Sequence, residues 1–178
     1  PEIRKKLKNK NWISQTDTET ILHAYIQHGS NCLKLFNGMF AFAIWDKKKR
    51  VMFLARDRIG IKPLYFGYNE GRFYFASEIK ALFSANYPKK PNYSVISDFL
   101  QWGLIDHSDQ TFFDGIMSLV PGHYMEIDFH GNRAINKYWD LISIVKERDK
   151  INTVEAIEAY KNLLEDSIKL RVRSDVPV

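Results

Sequence analysis

The sequence has a single cysteine, Cys32, no phosphate loop of the GxxxxGKS kind, and no run approaching the ~18 apolar residues that a membrane-spanning helix needs. One cysteine cannot close a disulfide within the chain, which excludes a disulfide-stapled scaffold and agrees with a reducing compartment. The N-terminus has no signal-peptide h-region, so a cytoplasmic protein without a membrane partner is expected. The five histidines, at 23, 28, 107, 123 and 130, have no metal-ligand spacing with cysteine or acid partners. His23 and His28 lie five apart rather than four and do not share a helix face. No metal site is expected in this chain, and each histidine reads as structural or solvent-exposed.

Charge of one sign is also missing in strength: 26 Lys and Arg stand against 21 Asp and Glu, for a net charge of +5. The basic residues are scattered over Lys5 to Lys10, Lys47 to Arg50, Lys89 and Lys90, Lys146 to Lys150, and Arg171 with Arg173. None of these groups interleaves with aromatics in a binding-module pattern, so they read as solvated surface and no nucleic-acid partner is expected. What is present is apolar and aromatic: 45% and 14% of 178 residues. A chain of this length buries roughly 70% of its unfolded surface, enough for a core without staples. It holds one domain, or one domain and the start of another.

Residues 2 to 9 read as the end of a basic helix. At residues 16 to 19, TDTE, Thr16 can cap a second helix while Glu19 reaches back to it, opening an amphipathic run through Ile21, Leu22, Tyr25 and Ile26 that ends near Gly29. The apolar runs Phe40 to Trp45 and Val51 to Ala55 flank a polar turn and predict a hairpin of two fully buried strands. A second hairpin is predicted from Tyr65 to Tyr68 and Arg72 to Ala76 across Asn69 to Gly71, then helices near Ser77 to Leu82 and Val95 to Trp102. Pro88 and Pro91 mark a connection between those helices. Pro121 and Gly122 introduce a strand in which apolar and polar residues alternate to Phe129, and the turn at His130 to Asn132 returns it. Residues 141 to 152 read as a linker, and Thr153 can cap a helix whose apolar face is Val154, Ile157, Tyr160, Leu164 and Ile168.

Three places invite a chemical reading. Cys32 sits between Asn31 and Leu33 with no histidine near it in sequence, and reads as a small buried hydrophobe. Asp17 lies in the first turn of a helix, where the positive end of the macrodipole favours its ionised form and a cationic partner. Taken alone, the bland reading of Asp17 as a helix-start residue is the better one. Arg56, Asp57 and Arg58 follow a buried strand and read as an ion-pair cluster fixing the turn into Tyr65, ahead of a ligand site.

The strings TDTE with ILHAY after it, NGMFAFAIWD at 37 to 46, LARDRIGIKPLYF at 54 to 66, FASEIKAL at 75 to 82, LVPGHYMEI at 119 to 127 and SDVPV at 174 to 178 closely resemble the glutamine-hydrolysing asparagine synthetase family. The resemblance implies an α+β class: a class II glutamine amidotransferase with the N-terminal-nucleophile fold, a four-layer αββα sandwich, truncated at its N-terminus. It also implies domain boundaries, with residues 1 to 140 a partial amidotransferase domain, 141 to 152 a linker, and 153 to 178 the start of an α/β ATP-pyrophosphatase domain. In that family glutamine, aspartate and ATP with Mg2+ are used, and aspartate is activated as an adenylate before ammonia attacks it. A homodimer is also implied.

Residue by residue, Asp17 matches the aspartate that accepts the α-ammonium of glutamine. Met39 matches a position in the wall of the family's ammonia tunnel, where an apolar lining suits passage of neutral ammonia. The chain begins at Pro1, past the family's nucleophilic cysteine, and stops before its SGGLDS-like pyrophosphate loop. We therefore expect a piece cut at both ends, with no catalytic residue of its own, and inactive in isolation. An asparagine-synthetase-like enzyme acting on a sugar, peptide or antibiotic precursor fits these strings too. So does a non-catalytic glutamine-binding relative.

Overall fold

The computed structural model describes residues 2–8, 11–146 and 152–172. The SDVPV segment lies outside the described residues. Two compact units are present, residues 1–140 and 141–178.

The first unit begins with helix α1 (Glu2–Lys6) and helix α2 (Asp17–His28), which ends at Gly29 with φ +56°. A 3-10 helix over Gly29–Leu35 follows. Strands β1 (Ala41–Asp46) and β2 (Val51–Arg56) form the first hairpin. Its turn is held by the Asp46 carboxylate, which accepts from the N–H groups of Lys48 and Lys49 at 3.0 and 3.1 Å. Strands β3 (Tyr65–Asn69) and β4 (Arg72–Ala76) form the second. Glu70 and Gly71 both have positive φ in this two-residue turn, the backbone twist that suits a tight hairpin. Helices α3 (Ile79–Ser84) and α4 (Tyr93–Trp102) come next, then strands β5 (Ile116–Ser118), β6 (His123–Asp128) and β7 (Arg133–Lys137).

The strands make two antiparallel sheets, one ordered β1-β2-β6-β7 and the other β4-β3-β5. Period-two alternation then sorts the side chains into three cores. Between the sheets, Leu54, Met125 and Ile127 from the first meet Phe66, Phe73 and Met117 from the second. On the outer face of the first sheet, Phe42, Ile44, Phe53, Ala55 and Tyr124 pack under Ala24 and Tyr25 of α2 and Cys32 and Leu33 of the 3-10 helix. On the outer face of the second, Tyr65, Tyr74 and Ile116 pack under Ile79, Leu82 and Phe83 of α3. Helix, sheet, sheet and helix are thus stacked in the αββα order.

Gly67 is required where Tyr87 crosses the outer face of β3. A Cβ there would lie 2.6 Å from the Tyr87 ring, whose hydroxyl donates to the Gly115 carbonyl at 2.8 Å.

Several local readings are corrected. β1 is not covered on both faces: it ends the four-stranded sheet among the described residues, and Trp45 on its inner face is 45% exposed. The three-residue strand β5 and the 3-10 helix are additions, since neither is long enough to show a period. In the second unit, Leu141–Lys146 forms a short helix, α5, inside the segment read as linker. Helix α6 (Thr153–Arg171) is capped by Asn152, not Thr153: the Asn152 side-chain oxygen accepts from the Glu155 N–H at 3.0 Å. Its apolar stripe, including Val154, Ile157 and Tyr160, is exposed. No helix among the described residues is long and apolar enough to cross a membrane.

Candidate functional site

Thr16 is the N-cap of α2, but its side chain makes no cap bond. The expected reciprocal box is replaced by a longer reach. Glu19 accepts from the backbone N–H of Ile13 at 2.8 Å, from that of Ser14 at 2.7 Å and from the Ser14 hydroxyl at 2.8 Å. Ser14 in turn shares a hydrogen bond with the Thr16 hydroxyl at 2.9 Å, so Thr16 is engaged outward. These donors, the Ile13 N–H first, with the Arg4 charge added, pull the Glu19 pKa down to about 2.

Arg4 completes the arrangement from α1. Its guanidinium donates to the Ser14 carbonyl at 2.7 Å, the Thr16 carbonyl at 2.8 Å and the Thr20 hydroxyl at 2.8 Å, and lies 4.0 Å from Glu19. It also lies 4.3 Å over the Trp12 ring, whose edge meets His23. The loop into α2 is therefore gripped through both its donors and its acceptors.

Asp17, the first residue of α2, is exposed and has no hydrogen-bond or ion-pair partner among the described residues. Its carboxylate is spare at the positive end of a 12-residue helix, which suits it to accept a primary ammonium group.

Met39 precedes β1 and is 42% exposed. The next residue is fixed by Asp57, which is 1% exposed. The Asp57 carboxylate accepts from Phe40 N–H at 3.2 Å and from Ile61 and Lys62 N–H at 2.9 Å each. Sequence reasoning missed this role; the only signal was an acid between two arginines after an apolar strand.

The expected ion-pair cluster at 56 to 58 is corrected. Arg56 spends its guanidinium on neutral oxygens: the carbonyls of Lys62 and Gly60 at 2.9 Å, the Leu119 carbonyl at 2.7 Å and the Ser118 hydroxyl at 2.9 Å. It thereby ties the end of β2 in one sheet to the end of β5 in the other. Tyr138 donates to the Arg56 carbonyl at 2.9 Å; burial first, then the Asp57 charge, push its phenol up to about 12. Arg58 Nε is buried with no hydrogen-bond partner.

Cys32 is fully buried in the core under α2, and desolvation pushes its thiol up to about 12, so it carries little nucleophilic thiolate near neutral pH. His23 lies 3.7 Å from Glu19, His107 pairs with Asp98 at 2.9 Å, and His123 bonds the Pro121 carbonyl at 2.8 Å. Each is occupied by a local structural partner.

A cleft of about 480 Å³ opens between the sheets, lined by Trp45, Met52, Tyr68, Phe73, Phe75 and Phe129 among others. Neither Asp17 nor Met39 lines it. Trp45 comes from β1, and Phe73 and Phe75 come from β4, each an end strand of its sheet among the described residues; Met52 and Tyr68 come from the neighbouring strands β2 and β3.

Residues 1–139 match a glutamine amidotransferase domain family. Asparagine synthetase [glutamine-hydrolyzing] 2 of Bacillus subtilis is 38% identical, covering 99% of this chain and 25% of that protein. A putative asparagine synthetase [glutamine-hydrolyzing] 2 of Methanocaldococcus jannaschii is also 38% identical, over 92% of this chain and 32% of its own. Amidase chry2 of Gibberella zeae is 30% identical over 94% of this chain and 24% of its own. Among solved structures, the glutamine phosphoribosylpyrophosphate amidotransferase of B. subtilis superposes with a TM-score of 0.53 at 20% identity, over 78% of this chain and 26% of that one.

The two stacked antiparallel sheets between helices are the N-terminal-nucleophile amidotransferase fold. The chain belongs to the glutamine amidotransferase domain family. It spans 24 to 32% of the length of the curated relatives just named.

Proposed function

We propose that this chain is part of a glutamine-hydrolysing asparagine synthetase and forms the wall of its amidotransferase site that receives the α-ammonium of glutamine. The observation that carries this is the spare, exposed Asp17 carboxylate at the start of α2, within the segment that matches the amidotransferase family. A charge-assisted hydrogen bond of this kind contributes about 1.5 to 3 kcal/mol, or roughly ten- to hundredfold in affinity.

In this reading Met39, held beside the Asp57 anchor, belongs to an apolar path for ammonia. Cys32 is not the nucleophile in this reading, because it is buried and desolvation pushes its thiol up to about 12. Residues 1 to 140 form the amidotransferase portion, 141 to 152 the connection, and 153 to 178 the start of a synthetase domain. In that domain ATP with Mg2+ would supply the activation of the aspartate carboxylate, and the whole protein would be a ligase; we place it in the cytoplasm as a homodimer. In this reading ATP and Mg2+ bind outside residues 1 to 140.

The test uses the full-length protein with ATP, glutamine and either aspartate or no acceptor. Formation of asparagine, AMP and pyrophosphate only with aspartate is expected. Glutamine hydrolysis without aspartate turnover would favour a second reading, an amidotransferase serving another acceptor, which the similarity to amidase chry2 keeps in view. Absence of glutamine hydrolysis would overturn both and favour a non-catalytic glutamine-binding relative.

A further inference from the structure

We propose that Glu19 is the positioning residue for the ammonium end of the glutamine site: its carboxylate fixes residues 13 to 16, and through them the start of α2, so that Asp17 is presented to the substrate. The proposal rests on the reading of Asp17 given above and adds a residue that does not itself touch glutamine.

The geometry favours Glu19 because the usual device is missing. Thr16 supplies no side-chain cap, so the first turn of α2 is not oriented by its own N-cap. The loop is oriented instead by Glu19, through two backbone N–H groups and one hydroxyl at 2.7 to 2.8 Å. Arg4 grips the same loop through the Ser14 and Thr16 carbonyls, and the two side chains face each other at 4.0 Å. Asp17 and Thr18, between the gripped residues and Glu19, are exposed. The clamp therefore takes up the loop backbone and leaves the Asp17 carboxylate unused. The two backbone N–H groups need an oxygen each, Oε1 for Ile13 and Oε2 for Ser14, which a carboxylate supplies and an amide does not.

The discriminating variant is Glu19→Gln in the full-length protein. It preserves shape but turns an N–H donor against one of these two N–H groups, that of Ile13 or that of Ser14. With the clamp loosened, KM for glutamine is expected to rise roughly tenfold, while kcat for glutamine hydrolysis and the whole ammonia-dependent synthesis stay within about twofold. Ser14→Ala removes one of the three bonds and should raise KM by roughly two- to threefold in the same pattern.

A structural defect alone lowers glutamine- and ammonia-dependent activities together, and that outcome overturns the proposal. An unchanged KM in a folded Glu19→Gln protein overturns it as well. If Glu19→Gln does not fold, the same KM-against-kcat comparison on Ser14→Ala and Arg4→Lys decides: a selective KM rise supports the clamp, and none overturns it. Asp17→Ala, run alongside, separates the two levels. A KM rise in Asp17→Ala without one in Glu19→Gln removes only the clamp; no rise in either removes the reading of Asp17 with it.

Discussion

Asp57 and Phe40 form a reciprocal pair: the Asp57 backbone N–H donates to the Phe40 carbonyl at 2.8 Å, and the Phe40 N–H donates to the Asp57 carboxylate at 3.2 Å. The same buried carboxylate takes the N–H groups of Ile61 and Lys62. One side chain thus fixes both the segment that follows Met39 and the loop between β2 and β3. Asp57→Ala leaves three backbone donors without this acceptor, and should cost about 2 to 4 kcal/mol. A lowered midpoint in guanidinium unfolding checks this; a change under about 0.5 kcal/mol would mean that water replaces the carboxylate without loss.

Asp17→Ala should behave in the opposite way, with little effect on unfolding because the carboxylate has no partner among the described residues. In the full-length protein KM for glutamine should rise at least about tenfold, and ammonia-dependent product formation should be retained. Equal loss of both activities would assign Asp17 to folding rather than to substrate.

The contrast between these two aspartates shows what was legible in the sequence. The hairpins were readable because alternation is local: Phe53 and Ala55 face α2, while Leu54 between them faces the second sheet. Asp17 was readable only once the family strings were added, since an acid at a helix start is common. Asp57 and Arg56 were misread as an ion pair because their partners are backbone groups brought in from Phe40, Gly60 to Lys62 and Leu119. No spacing rule announces such partners. Glu19 was recognised as a capping residue but assigned to Thr16, because the loop at 13 and 14 folds back further than a standard capping box requires. Strand β5 escaped because three residues between a glycine turn and the Leu119 segment are too few to show a period.

Cys32 tests the core beneath α2. With its thiol at about 12 and fully buried, it should resist alkylation in the native full-length protein at pH 8 and react rapidly in denaturant. Peptide mapping by mass spectrometry resolves it from any other cysteine. Cys32→Ser should leave glutamine hydrolysis largely unchanged; loss of that activity in a folded variant would reassign the nucleophile.

Gly67→Ala tests the outer face of the second sheet. The added Cβ would lie 2.6 Å from the Tyr87 ring, which is itself anchored to the Gly115 carbonyl, so the ring must leave its position over β3. Overpacking of this kind costs about 1 to 3 kcal/mol, and the melting temperature should fall by several degrees. Pairing it with Tyr87→Phe provides the check. If the ring is the obstacle, removing the hydroxyl that anchors it should reduce the penalty of Gly67→Ala.

The Glu19 clamp also has a pH signature whose sign is fixed by its pKa. The folded value, about 2, lies below the ordinary 4.5, so the ionised form is favoured by folding. Its contribution is therefore fully present above the unfolded value and is lost as pH falls through the folded one. Wild type should be more stable than Glu19→Gln at neutral pH, and the gap should close between about pH 5 and pH 2. Asp46 and Asp128 are also shifted downward by backbone and side-chain donors, and they make the absolute stability of both proteins fall in acid. They are common to both proteins and cancel in the comparison, so urea midpoints of the pair at pH 7, 5, 4 and 3 report Glu19 together with its contacts to Arg4 and to His23, which lies 3.7 Å away. A gap that stays constant across that range would show that shape rather than charge holds the loop at Ile13 and Ser14, and the amide would then serve as well as the carboxylate.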